Sequence, residues 1–224
     1  MSNEEILKTI LRGEPHLPAG LIQSVHNSSA TVGPQLLELI KSVRLWYTED
    51  AGRWAVLHAI RLISDLNVRN SIPAMIDAIF LAAGTRHEDA LEELPVALAR
   101  AGEPAIRSLQ SVLEDSRLDG TIRSVAASAL EGIAVLDAAQ RPAVLEILRG
   151  VVSNTGELGN IRSHVITILA HFRIPEDRDL IKRVAGTLPL MFDMESDDID
   201  AYFEQKDEPQ AWDPYRHSLT DYYS

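Results

Sequence analysis

The chain has no cysteine, which excludes a disulfide framework, cysteine-ligated zinc, iron–sulfur clusters and a thiol nucleophile. It also lacks any apolar run approaching the roughly 20 residues of a membrane-spanning helix. Its first residues, Met1-Ser2-Asn3-Glu4-Glu5, are acidic where a secretory signal is basic. Together these absences give the expectation of a soluble protein of the cytoplasm. Basic residues are also scarce: 21 Lys and Arg stand against 33 Asp and Glu, for a net charge of −12. Duplex binding relies on Lys and Arg displacing counterions from phosphates, so nucleic acid is a disfavoured partner. The excess acid is concentrated between Asp193 and Asp213, where nine acidic residues meet Lys206 alone.

Catalytic signatures are missing as well. The sequence contains no Gly-rich phosphate loop, no G-x-S-x-G elbow and no paired-histidine motif with a hydrolytic carboxylate. The adjacent acids Glu92-Glu93 and Asp197-Asp198 diverge on a helix and read as solvated faces. His164 and His171 share a helical face but lie about 10 Å apart along its axis, too far for one metal to bridge. His87-Glu88-Asp89 lacks the two-histidine helical spacing of a hydrolytic zinc site. The expectation is therefore a protein without catalytic residues, metal or cofactor.

What the chain does have is a repeat. Pro34, Pro73, Pro104, Pro142 and Pro175 recur at intervals of 39, 31, 38 and 33 residues, and the first four are read as opening apolar helices, because proline suits a first helical turn whose N–H has no partner anyway. A second helix per unit follows from a shared pattern of arginine and small apolar residues. Arg53-Trp54-Ala55-Val56-Leu57, Arg123-Ser124-Val125-Ala126-Ala127 and Arg162-Ser163-His164-Val165-Ile166 align. A fourth unit puts Leu91 at the arginine position, with Pro95 expected to kink or break its helix. Gly84, Gly102, Gly120 and Gly159 mark expected helix ends, and Thr121 and Asn160 are expected caps. Periods in the 30s with two helices each predict an all-α superhelix, a solenoid of antiparallel helix pairs. The expected organisation is a helical N-terminal cap over residues 1–32, repeats over 33–189 and an acidic, aromatic C-terminal cap or tail over 190–224.

Thr121 to Ile133 resembles the second helix of a HEAT repeat, and Pro104-Ala105-Ile106-Arg107-Ser108-Leu109 resembles the first. The order Ile6-Leu7, Leu17-Pro18, Pro34-Gln35-Leu36-Leu37, the repeats and then Asp197-Asp198-Ile199 also resembles a bacterial HEAT-like family of unassigned function. Some members of that family carry a C-terminal cysteine-rich zinc motif, from which this cysteine-free chain departs. The resemblance implies a scaffold that grips a protein partner along an inner face lined by the second helices.

If those helices line the inner face, the positions spared from the core are Trp54, His58 and Arg61 in one unit, Ser124, Ser128 and Glu131 in another, and Ser163 and Thr167 in a third. They are the candidate partner-binding residues. Trp54 is either an interface anchor or a core ring packed on Trp46 or Tyr47. Arg53, Arg123 and Arg162 repeat with the fold and are read as a structural ladder between units; a partner-binding row would require all three to be exposed. The C-terminal stretch has two readings. It covers the last repeat through a stripe of Phe192, Ile199, Tyr202 and Phe203, or it docks a basic partner through its acids with Trp212 and the tyrosines. The competing function is a small-molecule or nucleic-acid binder, or an enzyme, using the groove.

Overall fold

In the computed structural model, residues 1–48, 51–188 and 196–217 are described. Every regular element among them is a helix. Eleven come first: α1 (Asn3–Leu11), α2 (Ala19–Asn27), α3 (Ser29–Lys41), α4 (Val43–Trp46), α5 (Ala51–Asp65), α6 (Ser71–Thr85), α7 (Glu88–Arg100), α8 (Glu103–Glu114), α9 (Gly120–Leu136), α10 (Arg141–Ser153) and α11 (Gly159–Phe172). After a short 3₁₀ turn at Pro175–Asp177 come α12 (Arg178–Ala185), α13 (Ser196–Glu204), a second 3₁₀ turn at Gln210–Trp212 and α14 (Asp213–Arg216). No helix among the described residues is long and apolar enough to cross a membrane.

The chain divides into two compact units, Met1–Ala105 with Arg216–Ser224, and Ile106–Tyr215. In the first, α5 is central and packs on α1, α3, α4 and α7, while α6 packs on α3, α4 and α7. Leu57, Ile60, Leu62 and Ile63 of α5 are all buried, because a helix with neighbours on several sides loses its polar face. In the second unit α9 packs on α10 and α11, α11 on α12, and α12 on α13. Ala126, Ala127 and Ala129 are inaccessible to solvent, and such small side chains let adjacent helices approach closely.

Helix boundaries correct the sequence reading in four places, one of them Asn160, which is the second residue of α11 and not its cap. Pro34 is the sixth residue of α3 rather than an opener. The Ala30 carbonyl that loses its partner to proline belongs to an exposed residue, so water can satisfy it. Pro95 lies within α7, which runs unbroken to Arg100. Thr121 does not cap α9; Asp119 does, its carboxylate accepting from the Thr121 N–H at 2.8 Å. Asp119 precedes a glycine and lies where a carboxylate favours the helix N-terminus. Replacing Asp119 with alanine is expected to lower unfolding free energy by about 1 kcal/mol, measured by urea denaturation. An unchanged midpoint would contradict this capping role.

Candidate functional site

In the first unit the three candidates follow one another along α5. Trp54 is half-buried, its ring stacked on that of His58 with centroids 5.9 Å apart. The rings of Trp46 and His87 meet edge to face at 5.8 Å. His58 is wholly buried, and its Nε2–H donates to the Glu14 carbonyl at 2.8 Å. That carbonyl is delivered by the turn at Gly13, whose φ of +64° and close approach to the Ala51 backbone admit no side chain. Burial pulls the His58 imidazole down to about 4 from its ordinary 6.5, with the nearby Arg61 and His16 charges acting the same way against a hydrogen bond to Glu14 that raises it. Arg61 Nε donates to Glu93 Oε1 at 3.0 Å, and both side chains are largely buried.

A groove of about 260 Å³ adjoins them, lined by Arg53, Trp54, Leu57, His87 and Asp89. His87 is buried beneath it. Its Nδ1 accepts from the Ala90 N–H at 3.3 Å, and its Nε2–H donates to the Arg53 carbonyl at 3.2 Å. This imidazole too is held below its ordinary range by burial. It therefore caps α7 as a neutral ring, while the Arg53 side chain is exposed.

In the second unit the candidates converge. Glu131 on α9 is 4% exposed and is surrounded by donors: His171 Nδ1 at 2.6 Å and Trp212 Nε1 at 3.2 Å to one oxygen, and the Tyr215 hydroxyl at 3.4 Å to the other. Tyr215 donates more closely, at 2.8 Å, to the main-chain carbonyl of Ser128. Burial, with the Glu131 carboxylate beside it, pushes the Tyr215 phenol up, so the ring is a neutral donor at any ordinary pH. One turn earlier on α9, Ser128 Oγ lies 3.0 Å from His164 Nε2. The same imidazole hydrogen-bonds the main chain of Ser124, and burial holds it below its ordinary range. Ser163 is buried, and Thr167 turns its hydroxyl back to the Ser163 carbonyl at 3.1 Å. Phe172 packs on Trp212 with ring centroids 5.2 Å apart.

His58, Glu131 and Ser163 thus differ from their expected exposure. Their side chains meet protein rather than solvent, because packing covers the face that helical spacing alone leaves open. His164 and His171 join one polar cluster as hydrogen-bonding residues. Among the described residues, no group of three or more His, Asp or Glu side chains is placed to hold a metal. The Ser128–His164 distance also suits a nucleophile and its base. Ser128 is in mid-helix, however, where main-chain N–H groups are committed to carbonyls four residues back and leave no local oxyanion donors.

The three arginines separate. Arg123 is completely buried; its Nε donates to the Leu113 carbonyl at 2.8 Å, and its Nη1 and Nη2 form a fork onto the two oxygens of Glu157, the first at 2.7 Å. Arg162 Nε donates to the Val152 carbonyl at 3.2 Å. Both carbonyls stand ten residues before their arginine and one residue before the end of a helix, α8 or α10. A guanidinium there satisfies an orphan carbonyl and meets the negative end of the helix dipole. Glu157 feels both cations: the Arg123 hydrogen bond, first, and the charge of Arg162 hold its carboxyl below the usual range.

Sequence reasoning did not place Trp212 and Tyr215, now the principal cover of Glu131. Their spacing of three, which aligns two rings on one helical turn, was the available signal. Ile199 is buried on α13, while Tyr202 and Phe203 are half-buried beneath Arg173 and Arg178 at 4.6 and 5.9 Å. Phe192 lies outside the described residues. Comparison of the chain with family models, curated proteins and solved structures finds no match. Function rests on the site.

Proposed function

We propose that the chain is a HEAT-like array of antiparallel helix pairs acting as a non-catalytic protein-interaction scaffold, with partner recognition along the face of its second helices. The carrying observation is that, in the Ile106–Tyr215 unit, the shared face of α9 and α11 receives a separate segment of polypeptide through ring packing and side-chain hydrogen bonds. A surface that engages Trp and Tyr in this way has the chemistry of a protein-binding face, in which aromatic anchors supply area and a polar tip supplies direction. The common ten-residue offset of Arg123 and Arg162 from their carbonyls supports the repeat assignment. In the Met1–Ala105 unit the corresponding helix presents half-buried Trp54 beside exposed Arg53.

The test is purification of the untagged protein from its native cells, with mass spectrometry of what remains bound through gel filtration. A stoichiometric protein partner is expected. A retained metabolite or nucleic acid without a protein would overturn the scaffold reading and move attention to the groove at Arg53 and His87.

A further inference from the structure

Residues 210–215 occupy the α9–α11 face in an uneven way. Trp212 and Tyr215 are 7% and 6% exposed, whereas Ala211, Asp213 and Pro214 between and beside them are exposed. The segment enters from residues 205–209, which form no helix, and itself makes only a 3₁₀ turn and the start of a single helical turn. Two anchors three residues apart on one short turn, reached through a non-helical linker, dock on the face as a short helical peptide docks in a groove. The receptor side is equally defined: the two Glu131 oxygens and the Ser128 carbonyl accept, Phe172 supplies an apolar wall, and His171 holds the carboxylate in place.

We infer that this face is a recognition site for a helical turn bearing Trp and Tyr at i and i+3, and that residues 210–215 are its resident occupant, which a partner protein carrying the same pattern displaces. This deepens the scaffold reading and rests on it. The chemistry fixes the partner's anchors. The indole N–H must reach Glu131, and the phenol must reach the Ser128 carbonyl beside the Glu131 carboxylate, so phenylalanine at the second position fills the space but forfeits the hydroxyl's hydrogen bond. The covalently attached occupant acts at a high effective concentration, so a free peptide competes poorly until the resident rings are removed.

The probe is a fluorophore-labelled peptide of residues 208–217, Glu-Pro-Gln-Ala-Trp-Asp-Pro-Tyr-Arg-His, titrated by fluorescence anisotropy against the full chain and against the full chain carrying Trp212→Ala with Tyr215→Ala. The double variant is expected to keep a helical, cooperatively melting fold and to bind the peptide at least tenfold more tightly than the unaltered chain. Changing the peptide's tyrosine to phenylalanine is expected to weaken binding severalfold. Folded double variant without peptide binding would overturn the inference, as would a double variant that fails to fold, since a segment required for folding is not an exchangeable occupant. Hydrogen exchange on the unaltered chain gives an independent reading: amides of 210–215 are expected to exchange through a local opening, well before those of α9. Exchange at the rate of the α9 core would contradict displacement. Loss of peptide binding overturns this occupant alone; loss of a native protein partner overturns the scaffold reading.

Discussion

Arg123→Ala is expected to destabilise the chain by about 3–5 kcal/mol, the cost of removing one member of a buried ion pair. Arg123 has no solvent exposure, and the Glu157 side chain is 5% exposed. Truncation removes the fork on Glu157 and the donor to the Leu113 carbonyl together, leaving a buried carboxylate without its paired cation and a helix-end carbonyl without that donor. Urea denaturation at pH 7 measures the loss. Because Arg123 depresses the Glu157 pKa in the folded state, the carboxylate's contribution is present above its unfolded pKa and disappears as pH falls through the folded value. The difference between parent and variant should therefore shrink in acid. Replacing both partners, with Arg123→Met and Glu157→Leu, should cost less than the single change, since an apolar pair leaves no isolated charge. A single variant within 1 kcal/mol of the parent would contradict the structural role of Arg123.

The second large effect is on pH dependence. His58 is neutral and buried in the folded chain with its pKa pulled down to about 4, against 6.5 when exposed. Between those values the unfolded chain holds a proton that the folded chain does not, so stability rises with pH across this window and is lost as pH falls through it. The two values correspond to about 3 kcal/mol between pH 6.5 and pH 4. His87 and His164 are depressed in the same direction by burial and add to the trend. His58→Gln keeps a donor for the Glu14 carbonyl while removing the titration. The variant's stability curve should be flatter than the parent's by up to about 1.4 kcal/mol per pH unit over that window. Parallel curves would show that His58 is not the group responsible.

Much of the helical content was legible from periodicity and punctuation, because α1, α8, α9, α10 and α11 carry apolar spacing between clear stops. Pro34 does not open its helix, and Pro95 does not break its own. A tertiary environment that packs or solvates the affected carbonyls tolerates a proline that local rules place at a helix boundary. Subtracting the apolar stripe from α5, α9 and α11 leaves Ser124, Ser128, Glu131, Ser163 and Thr167 together as the inner-face positions. Subtraction cannot reveal what covers them. Glu131 reads as an exposed partner-binding position until a segment 81 residues away places Trp212 against it, and no local pattern encodes that return. His58 was hidden for the same reason: its burial depends on the Glu14 carbonyl, 44 residues earlier. The common register of Arg123 and Arg162 was visible because both arginines open the same local pattern of small and apolar residues, whereas Glu157 was not, since only packing brings it onto the Arg123 guanidinium.

Partner recognition through the proposed second-helix face is tested by site-directed photo-crosslinking in native cells, with a photoreactive phenylalanine derivative placed at Trp54 on α5 or, for comparison, at Phe80, which is 39% exposed on α6. Position 54 is expected to capture one protein repeatedly, and position 80 is not. Equal capture from both positions, or capture from position 80 alone, would contradict recognition along the second-helix face.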